Sequence, residues 1–341
     1  MDILGLKEKE LIEILLKKDY KAFRSKQIIE WIYQKKALSF DEMTNLSVAV
    51  RSFLKDNFTL FSLKLKQTQL SKDKETKKYL FELKDGFFIE SVLILSNERK
   101  TICLSTQVGC AIRCTFCASG KKGFFRNLKA SEIIEQIIHI AKDINQNPTH
   151  IVFMGMGEPL LNLDELVRSI EIISNENFLK ISQRRITIST VGILENIKKL
   201  KEKNLKCNLA LSLHAPTDEI RNMIIPYAKK YKLESLLNEL KDYSTQTKRD
   251  ISFEYILIEN VNDSLEDAKN LKNLLKNFQC SINLIPYNPV LGLDYKRPQN
   301  ERILKFKSFL ISNKLNVFQR YAKGNDIAAS CGQLAYQDNI K

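Results

Sequence analysis

Three cysteines stand close together in the stretch CAIRCTFCASG, residues 110–120. They are Cys110, Cys114 and Cys117, in a chain with seven cysteines in all. Clustered, odd-numbered cysteines predict metal binding or thiol chemistry rather than a disulfide scaffold. A structural zinc site usually takes four protein ligands, and no second cysteine pair completes these three. Three thiolates can instead hold a [4Fe-4S] cluster with one iron open, while structural zinc and chance spacing remain as alternatives.

Glycines and polar side chains follow several apolar, strand-like runs. FMGMGEP, residues 153–159, places Gly157 and Glu158 after one such run. Glycine permits close approach of a ligand, and a carboxylate suits an ammonium group. ITISTVG, LSLHAP and LIPYNPV contribute Ser189, Ser212, Leu213, His214 and Asn288. Each polar group alone is typical of a turn, a cap or a loop hydrogen bond, but their shared location at strand ends favours a binding site.

The elements that would position these residues alternate along the chain. After the cysteine stretch, six apolar runs, from HIVFMG to NVFQRY, alternate with amphipathic segments at 163–175, 193–203, 231–243, 264–276 and 301–312. Repeated βα units with short loops predict an α/β fold with a parallel sheet covered by helices, most simply a full or partial barrel. Function in such folds sits at the carboxyl ends of the strands.

The segments before the cysteine stretch follow other patterns. Helical periodicity over 7–18, 23–35 and 46–56 predicts a small helical N-terminal accessory domain, residues 1–58. A period-two pattern follows, with a hairpin turn predicted at Asp85-Gly86, so residues 59–95 are expected to form a β-hairpin bridge. We place the core at residues 96–326 and a C-terminal segment at 327–341.

Composition limits the partners and the location of the chain. The formal charge of +14 suits a polyanion such as RNA, although a merely solvated basic surface explains it equally well. No leader pattern and no apolar stretch of about 20 residues is evident, which predicts a cytoplasmic protein.

The cysteine spacing, the aromatic Phe116 before the last cysteine and the GEP motif resemble the radical S-adenosylmethionine (SAM) superfamily, which implies a partial (βα)6 barrel. Beyond these motifs, CLSTQVGCAIRCTFCASGKKGFFRNLKASEIIEQI, FMGMGEPLLN, SLHAP, VNDS, NLIPYNPV and KGNDIAASCGQL resemble the RlmN-type rRNA and tRNA adenine methyltransferases. The resemblance runs over nearly all of residues 78–335 and is weakest in the N-terminal unit.

The resemblance implies cofactors and roles. Cys110, Cys114 and Cys117 would hold a [4Fe-4S] cluster. SAM, two molecules per turnover, would bind at Gly157, Glu158, Ser189, Ser212, Leu213, His214 and Asn288. Cys331 would accept a methyl group, Cys103 would later form a disulfide with it, and Glu90 would accept a proton. Without the resemblance, Glu90 would be taken for an exposed strand glutamate.

The implied reaction is methylation of adenine carbon 2 in 23S rRNA, at position 2503, and in tRNA, at position 37. The related carbon-8 methyltransferases are an alternative, and the stretch EPLLN at 158–162 resembles the carbon-2 group. A non-catalytic, zinc-stabilised RNA-binding protein is another. We expect a monomer that takes electrons from a flavodoxin or ferredoxin system and has no membrane partner.

Overall fold

The fold is described by a computed structural model that covers residues 1–321 and 323–335. Residues 336–341 of the predicted C-terminal segment lie outside the described part. The helices are α1 Glu8–Leu16, α2 Arg24–Ile29, α3 Val48–Asn57, α4 Ala130–Asp143, α5 Leu163–Ser174, α6 Leu194–Glu202, α7 Asp218–Ile224, α8 Leu233–Thr247, α9 Leu265–Leu275 and α10 Asn300–Ser312. The strands are β1 Lys64–Leu70, β2 Thr76–Glu82, β3 Phe88–Ser96, β4 Arg99–Cys103, β5 Gln107–Gly109, β6 Phe124–Asn127, β7 His150–Phe153, β8 Ile186–Thr190, β9 Asn208–Ser212, β10 Ile251–Leu257, β11 Cys280–Pro286 and β12 Asn316–Gln319.

The N-terminal residues form the three predicted helices, α1 to α3, with one difference. The second helix ends at Ile29 and continues as a π-helical turn over Glu30–Gln34. Inside that turn Tyr33 is buried, and its hydroxyl donates to the Leu4 carbonyl oxygen at 2.9 Å. Periodicity does not separate an α-helix from a π turn, because the apolar face is preserved through both.

Ten strands form one sheet in the order β1-β2-β3-β4-β7-β8-β9-β10-β11-β12. Within this sheet, β4 and the strands from β7 to β12 pair in parallel, and β1 to β4 pair antiparallel through hairpins. The predicted turn lies between β2 and β3, where Gly86 has a φ of 82°. The α/β fold with a partial barrel is confirmed. Helix α7 was not predicted, although Thr217 accepts a hydrogen bond from the Ile220 amide and is a recognisable N-cap.

The two faces of the parallel sheet differ in polarity. One face is apolar and fully buried, as at Ile188, Leu211 and Phe253. The opposite face is polar. Paired strands place in one row the polar residues Ser189, Ser252, Ser281 and Asn316, with the small Ala210 between the first two. Because helices cover the outside of such a barrel, the polar row lines its interior.

The chain after β12 returns to the antiparallel end of the sheet. We call residues 323–335 the closing segment. The Lys323 ammonium donates to the Leu95 carbonyl oxygen at 2.9 Å, and Asp326 accepts from the Lys72 amide at 2.8 Å. The closing segment therefore contacts β3 and the turn between β1 and β2. Among the described residues, no helix is both long and apolar enough to cross a membrane.

Candidate active site

The three clustered cysteines lie in the loop of a small hairpin. Strands β5 and β6 pair antiparallel, and the Cys110 amide donates to the Gly123 carbonyl oxygen at 2.9 Å, which closes the base of the loop. The Thr115 amide donates to the carbonyl oxygen of Ile224, the last residue of α7, at 2.9 Å. The loop is thus fixed to its own hairpin and to the barrel.

Burial is the largest cause of a raised pKa in all three thiols, and it brings the pKa of Cys110 to about 12. The neighbouring Cys117, Cys110 and Glu158 raise the pKa of the Cys114 thiol further, while Arg221 opposes them. Thiols that influence one another in this way are close in space. Because metal ligands must be deprotonated, a cationic centre bound here would offset the cost of ionising them.

Within residues 1–321 and 323–335, no group of three or more His, Cys, Asp or Glu side chains is arranged to hold a metal ion. Whether an iron-sulfur cluster suits this site is therefore judged from the chemistry of the three thiols. Three partly buried cysteines on one fixed loop are the donor set that such a cluster takes.

The glycines of FMGMGEP are required by packing within the chain. A Cβ on Gly155 would lie 2.6 Å from the Leu104 carbonyl oxygen, and one on Gly157 would lie 2.5 Å from the Gln107 Cβ. Gly157 also has a φ of 103°, which strains any other residue. The sequence suggested that these glycines let a ligand come close. In the described residues they instead let this loop pack against the segment that follows β4.

Glu158 is buried and joins the ends of two strands. Its Oε1 accepts from the Leu160 amide at 3.0 Å, and its Oε2 accepts from the Val191 amide at 2.9 Å. Burial raises the pKa of the Glu158 carboxyl to about 7, and these hydrogen bonds lower it. A carboxylate can accept about four hydrogen bonds, so the group retains acceptor capacity for a ligand.

The polar groups of LSLHAP meet those of ITISTVG at neighbouring strand ends. The Ser189 and Ser212 hydroxyl oxygens are 3.3 Å apart, and Ser189 is buried. The Leu213 side chain is fully buried, and its amide donates to the Glu254 carbonyl oxygen at 3.0 Å. The sequence prediction that these strand-end residues lie together agrees with this geometry.

His214 is held in a left-handed backbone conformation, with a φ of 59°. Its Nδ1 accepts from the Ile256 amide at 3.1 Å, and its ring meets the Phe116 ring edge-on, with centroids 5.1 Å apart. Burial lowers the pKa of His214 to about 3, so the ring is neutral and carries its proton on Nε2. His214 thus contacts the cysteine loop through Phe116.

Arg221 on α7 is a central residue of this site that sequence analysis missed. The side chain is 2% exposed, and it donates to the carbonyl oxygens of Val191 at 2.6 Å, Ser212 at 3.3 Å and Leu213 at 3.2 Å. Burial lowers the pKa of Arg221 to about 10. The cation therefore ties the ends of β8 and β9 together beside Cys114. No feature of the sequence indicated this role, since arginine is usually a surface residue. The burial of Arg221 follows from the position of α7, a short helix that was not predicted.

The two cysteines that lie apart in sequence, Cys103 and Cys331, are neighbours in space. Cys103 is buried at the end of β4, and its pKa is raised by burial and by the nearby Cys331 thiol. Cys331 is an exposed residue, yet burial is the largest cause of its raised pKa. Cys331 is followed directly by Gly332, whose carbonyl oxygen accepts from the Ala118 amide of the cysteine loop at 2.8 Å.

Further groups surround Cys331. Its carbonyl oxygen accepts from the Asn288 side-chain amide at 3.4 Å, so this predicted residue contacts the closing segment directly. Glu254 and Cys117 raise the pKa of the Cys331 thiol, and Arg320 lowers it. Glu254 is a buried carboxylate of β10 that accepts from the Asn283 side chain at 2.7 Å, and sequence analysis did not identify it.

Glu90 is 5% exposed, so the alternative of an exposed strand glutamate does not hold. Its Oε1 lies 3.0 Å from the Lys78 ammonium, and its Oε2 accepts from the Ala335 amide at 2.8 Å. Burial raises the pKa of the Glu90 carboxyl, while Lys78 and the Ala335 amide lower it. Glu90 therefore links β3 to the closing segment that carries Cys331.

Known protein families match both parts of the chain. Residues 1–60 match the ribosomal RNA large subunit methyltransferase N-terminal domain, and residues 104–271 match the radical SAM superfamily. "Probable dual-specificity RNA methyltransferase RlmN 2" of Protochlamydia amoebophila is 50% identical over 99% of this chain and 95% of its own length. The protein named "Probable dual-specificity RNA methyltransferase RlmN" from Thermotoga neapolitana is 46% identical over 99% and 98%.

This chain belongs to the RlmN family of dual-specificity RNA methyltransferases. The solved structure of a radical SAM methyltransferase from Sphaerobacter thermophilus is 38% identical, with a TM-score of 0.95 over 98% of this chain and 99% of that one. The chain is therefore an RNA methyltransferase of the radical SAM superfamily. Membership in that superfamily implies SAM and a [4Fe-4S] cluster as cofactors.

Proposed function

We propose that this RNA methyltransferase methylates carbon 2 of adenine, at position 2503 of 23S rRNA and at position 37 of tRNA, through an S-methylcysteine at Cys331. The placement of Cys103 and Cys331 supports this proposal most directly. Cys103 ends β4 on the sheet face that carries Glu90, and Cys331 lies on the closing segment, which is bound to both Glu90 and the three-cysteine loop. The two thiols are more than two hundred residues apart in sequence. A direct methyl transfer needs no such pair, whereas a transfer through a cysteine needs one thiol to accept and one to release.

Cys110, Cys114 and Cys117 would hold the cluster, and the strand-end residues Gly157, Glu158, Ser189, Ser212, Leu213, His214 and Asn288 would hold SAM. When bound, these groups would supply the methyl group and the one-electron chemistry, with one SAM used for each purpose. A flavodoxin or ferredoxin system would donate electrons to the protein, which would act as a cytoplasmic monomer without a membrane partner.

The residues of the chain have separate tasks in this proposal. The Cys331 sulfur forms a bond to the methyl carbon as the carbon-sulfur bond of SAM breaks, so the thiol must first lose its proton. After the base has become attached to the Cys331 methyl carbon, Glu90 accepts the proton from adenine carbon 2. The Cys103 thiolate then attacks the Cys331 sulfur. A disulfide forms and the bond between sulfur and the methylene carbon breaks, with its electron pair on carbon. That carbon takes up a proton to become a methyl group, and the methylated base leaves.

This division of labour is tested by two substitutions. Cys331→Ala should remove an extra mass of one methylene from the isolated protein and abolish RNA methylation. Cys103→Ala should keep that added mass but stall with RNA covalently attached, because no second thiol can displace the sulfur. Intact-protein mass spectrometry detects the first effect, and a ribonuclease-sensitive band of low mobility on a denaturing gel detects the second.

Cys280→Ala is a matched control, since Cys280 begins β11 at the end of the sheet opposite the site. It should behave as the unsubstituted protein. Normal turnover of Cys103→Ala, or a methyl group on Cys103, would contradict the assigned roles. Mass spectrometry of the digested RNA separates 2-methyladenine from 8-methyladenine, and a colourless zinc protein without either product would contradict the proposal as a whole.

A further inference from the structure

Lys78, Glu90 and Cys103 project from one face of three neighbouring strands. Lys78 of β2 is paired with Val92 of β3, and Val92 is paired with Cys103 of β4. Directly paired residues of antiparallel strands share a face, and Glu90 stands two residues from Val92 on that same face. The strand register therefore brings a lysine beside the two residues that the proposed function assigns to release of the product.

The ion pair between Lys78 and Glu90 is largely shielded from water. The Lys78 ammonium lies 3.0 Å from Glu90 Oε1, and the two side chains are 12% and 7% exposed. Most other ion pairs of the described residues have at least one well-exposed partner, as in Lys305 and Glu301 at 62% and 73%. A shielded carboxylate keeps its charge only when a cation and hydrogen bonds replace the lost water.

Both partners of this pair also hold the closing segment. The Ala335 amide donates to Glu90 Oε2 at 2.8 Å, and the Lys78 ammonium lies 3.4 Å from the Ala328 carbonyl oxygen. Those two contacts flank Cys331 on the closing segment. The two additional hydrogen bonds of the pair therefore form only while the segment that carries Cys331 is docked.

We propose that Lys78 is a positioning residue that keeps Glu90 ionised and fixed against the docked closing segment, so that Glu90 can take the proton from the attached adenine. The carbon 2–hydrogen bond breaks, the proton binds a Glu90 oxygen, and the electron pair stays in the ring. This inference rests on the proposed function of Glu90. Among the described residues, Lys78 is the charged side chain that acts on Glu90, and Cys103 on β4 is a titratable group of the same sheet face.

The pH dependence has a definite sign. Burial raises the pKa of the Glu90 carboxyl, and Lys78 lowers it. Lys78→Met removes the lowering influence, so the carboxylate form is populated only at higher pH. An opposite charge at this distance is worth about 1 to 3 pKa units. The pH profile of RNA methylation by Lys78→Met should therefore lie about 1 to 3 pH units higher than that of the unsubstituted protein, whereas Lys78→Arg should keep the original profile.

A second measurement does not depend on the loaded enzyme. Difference infrared spectra of the cluster-free protein over a pH series should show the carbonyl band of a protonated carboxyl at higher pH in Lys78→Met than in the unsubstituted protein. The band should be missing in Glu90→Gln. If Lys78→Met folds poorly, Lys78→Met combined with Glu90→Gln should restore folding, because no unpaired buried charge is left.

The outcomes separate the two proposals. Cys331 should still acquire its methyl group in Lys78→Met, since that step does not use Glu90. If Cys331 carried no methyl group in the unsubstituted protein, the proposed function would be overturned. The infrared measurement would still test whether Lys78 keeps Glu90 ionised. An unchanged pH profile and an unchanged infrared titration in Lys78→Met would overturn the role of Lys78, as would equal losses in Lys78→Met and Lys78→Arg.

Discussion

At the scale of single residues, the site is built around buried charges whose partners come from distant parts of the chain. Arg221 meets three carbonyl oxygens from two strand ends, and Glu158 meets two amides beyond its own strand. Val191 connects the two, since Glu158 accepts from its amide and Arg221 donates to its carbonyl oxygen. The strand ends that are proposed to bind SAM are thus held by one continuous network.

Arg221→Met should destabilise the protein by about 3 kcal/mol, because it leaves three buried carbonyl oxygens without their charged donor. Chemical denaturation, fitted for the free energy of unfolding, measures this. Arg297 is an exposed arginine, so Arg297→Met is a matched control that should stay within about 0.5 kcal/mol. Equal stabilities of the two variants would show that the buried hydrogen bonds of Arg221 contribute little.

At the scale of elements, turns that pack against neighbouring segments set the geometry. The loop after β7 must follow the segment after β4 so closely that Gly155 and Gly157 leave no room for a Cβ. The hairpin turn at Gly86 has a similar positive φ, yet nothing lies within 4 Å of an added Cβ there. The same substitution at Gly157 and Gly86 therefore separates backbone strain from steric overlap.

Gly86→Ala should cost about 1 kcal/mol, which is the strain of a left-handed conformation alone. Gly157→Ala should cost ~3 kcal/mol or more, because the new methyl group also displaces Gln107, whose side chain accepts from the Glu158 amide. Thermal unfolding of both variants, compared with the unsubstituted protein, tests the difference. A cost at Gly157 no larger than at Gly86 would mean that the loop relaxes freely.

At the scale of the whole molecule, the closing segment and the net charge matter most. The closing segment brings Cys331 from near the end of the chain to the cysteine loop, where the Ala118 amide donates to the Gly332 carbonyl oxygen at 2.8 Å. Ser119 donates to the Leu334 carbonyl oxygen at 2.6 Å from the same loop. The formal charge of +14 belongs to the complete chain and fits an RNA substrate.

If the charge serves RNA binding, the affinity for an rRNA fragment should fall ~100-fold between about 50 and about 200 mM salt, as counterions released by about four phosphate contacts predict. Fluorescence anisotropy with a labelled fragment measures the affinity. Cys331→Ala is a useful control, because it keeps the charge and should show the same slope without any covalent attachment. Binding that does not respond to salt would indicate that the positive charge is only a property of the composition.

The sequence alone determined the order of elements and the candidate chemistry. Alternating apolar runs and amphipathic segments predicted the strands and helices of the barrel, because burial of one face imposes a period on the chain. Cysteine spacing and strand-end motifs brought together Cys110, Cys114, Cys117, Glu158 and His214 as one expected site. These features can be predicted from local sequence patterns, since each motif or period extends over only a few residues.

Tertiary structure alone decided which distant groups meet. Lys78 and Arg221 are ordinary cations in the sequence, and only strand register and the packing of α7 bring them to buried partners. The burial of Glu90 likewise depends on the closing segment, whose Ala335 amide lies 245 residues away along the chain. Long-range pairs of this kind leave no periodic signal in the sequence. They form where two elements pack against each other, and those elements meet only when the chain folds.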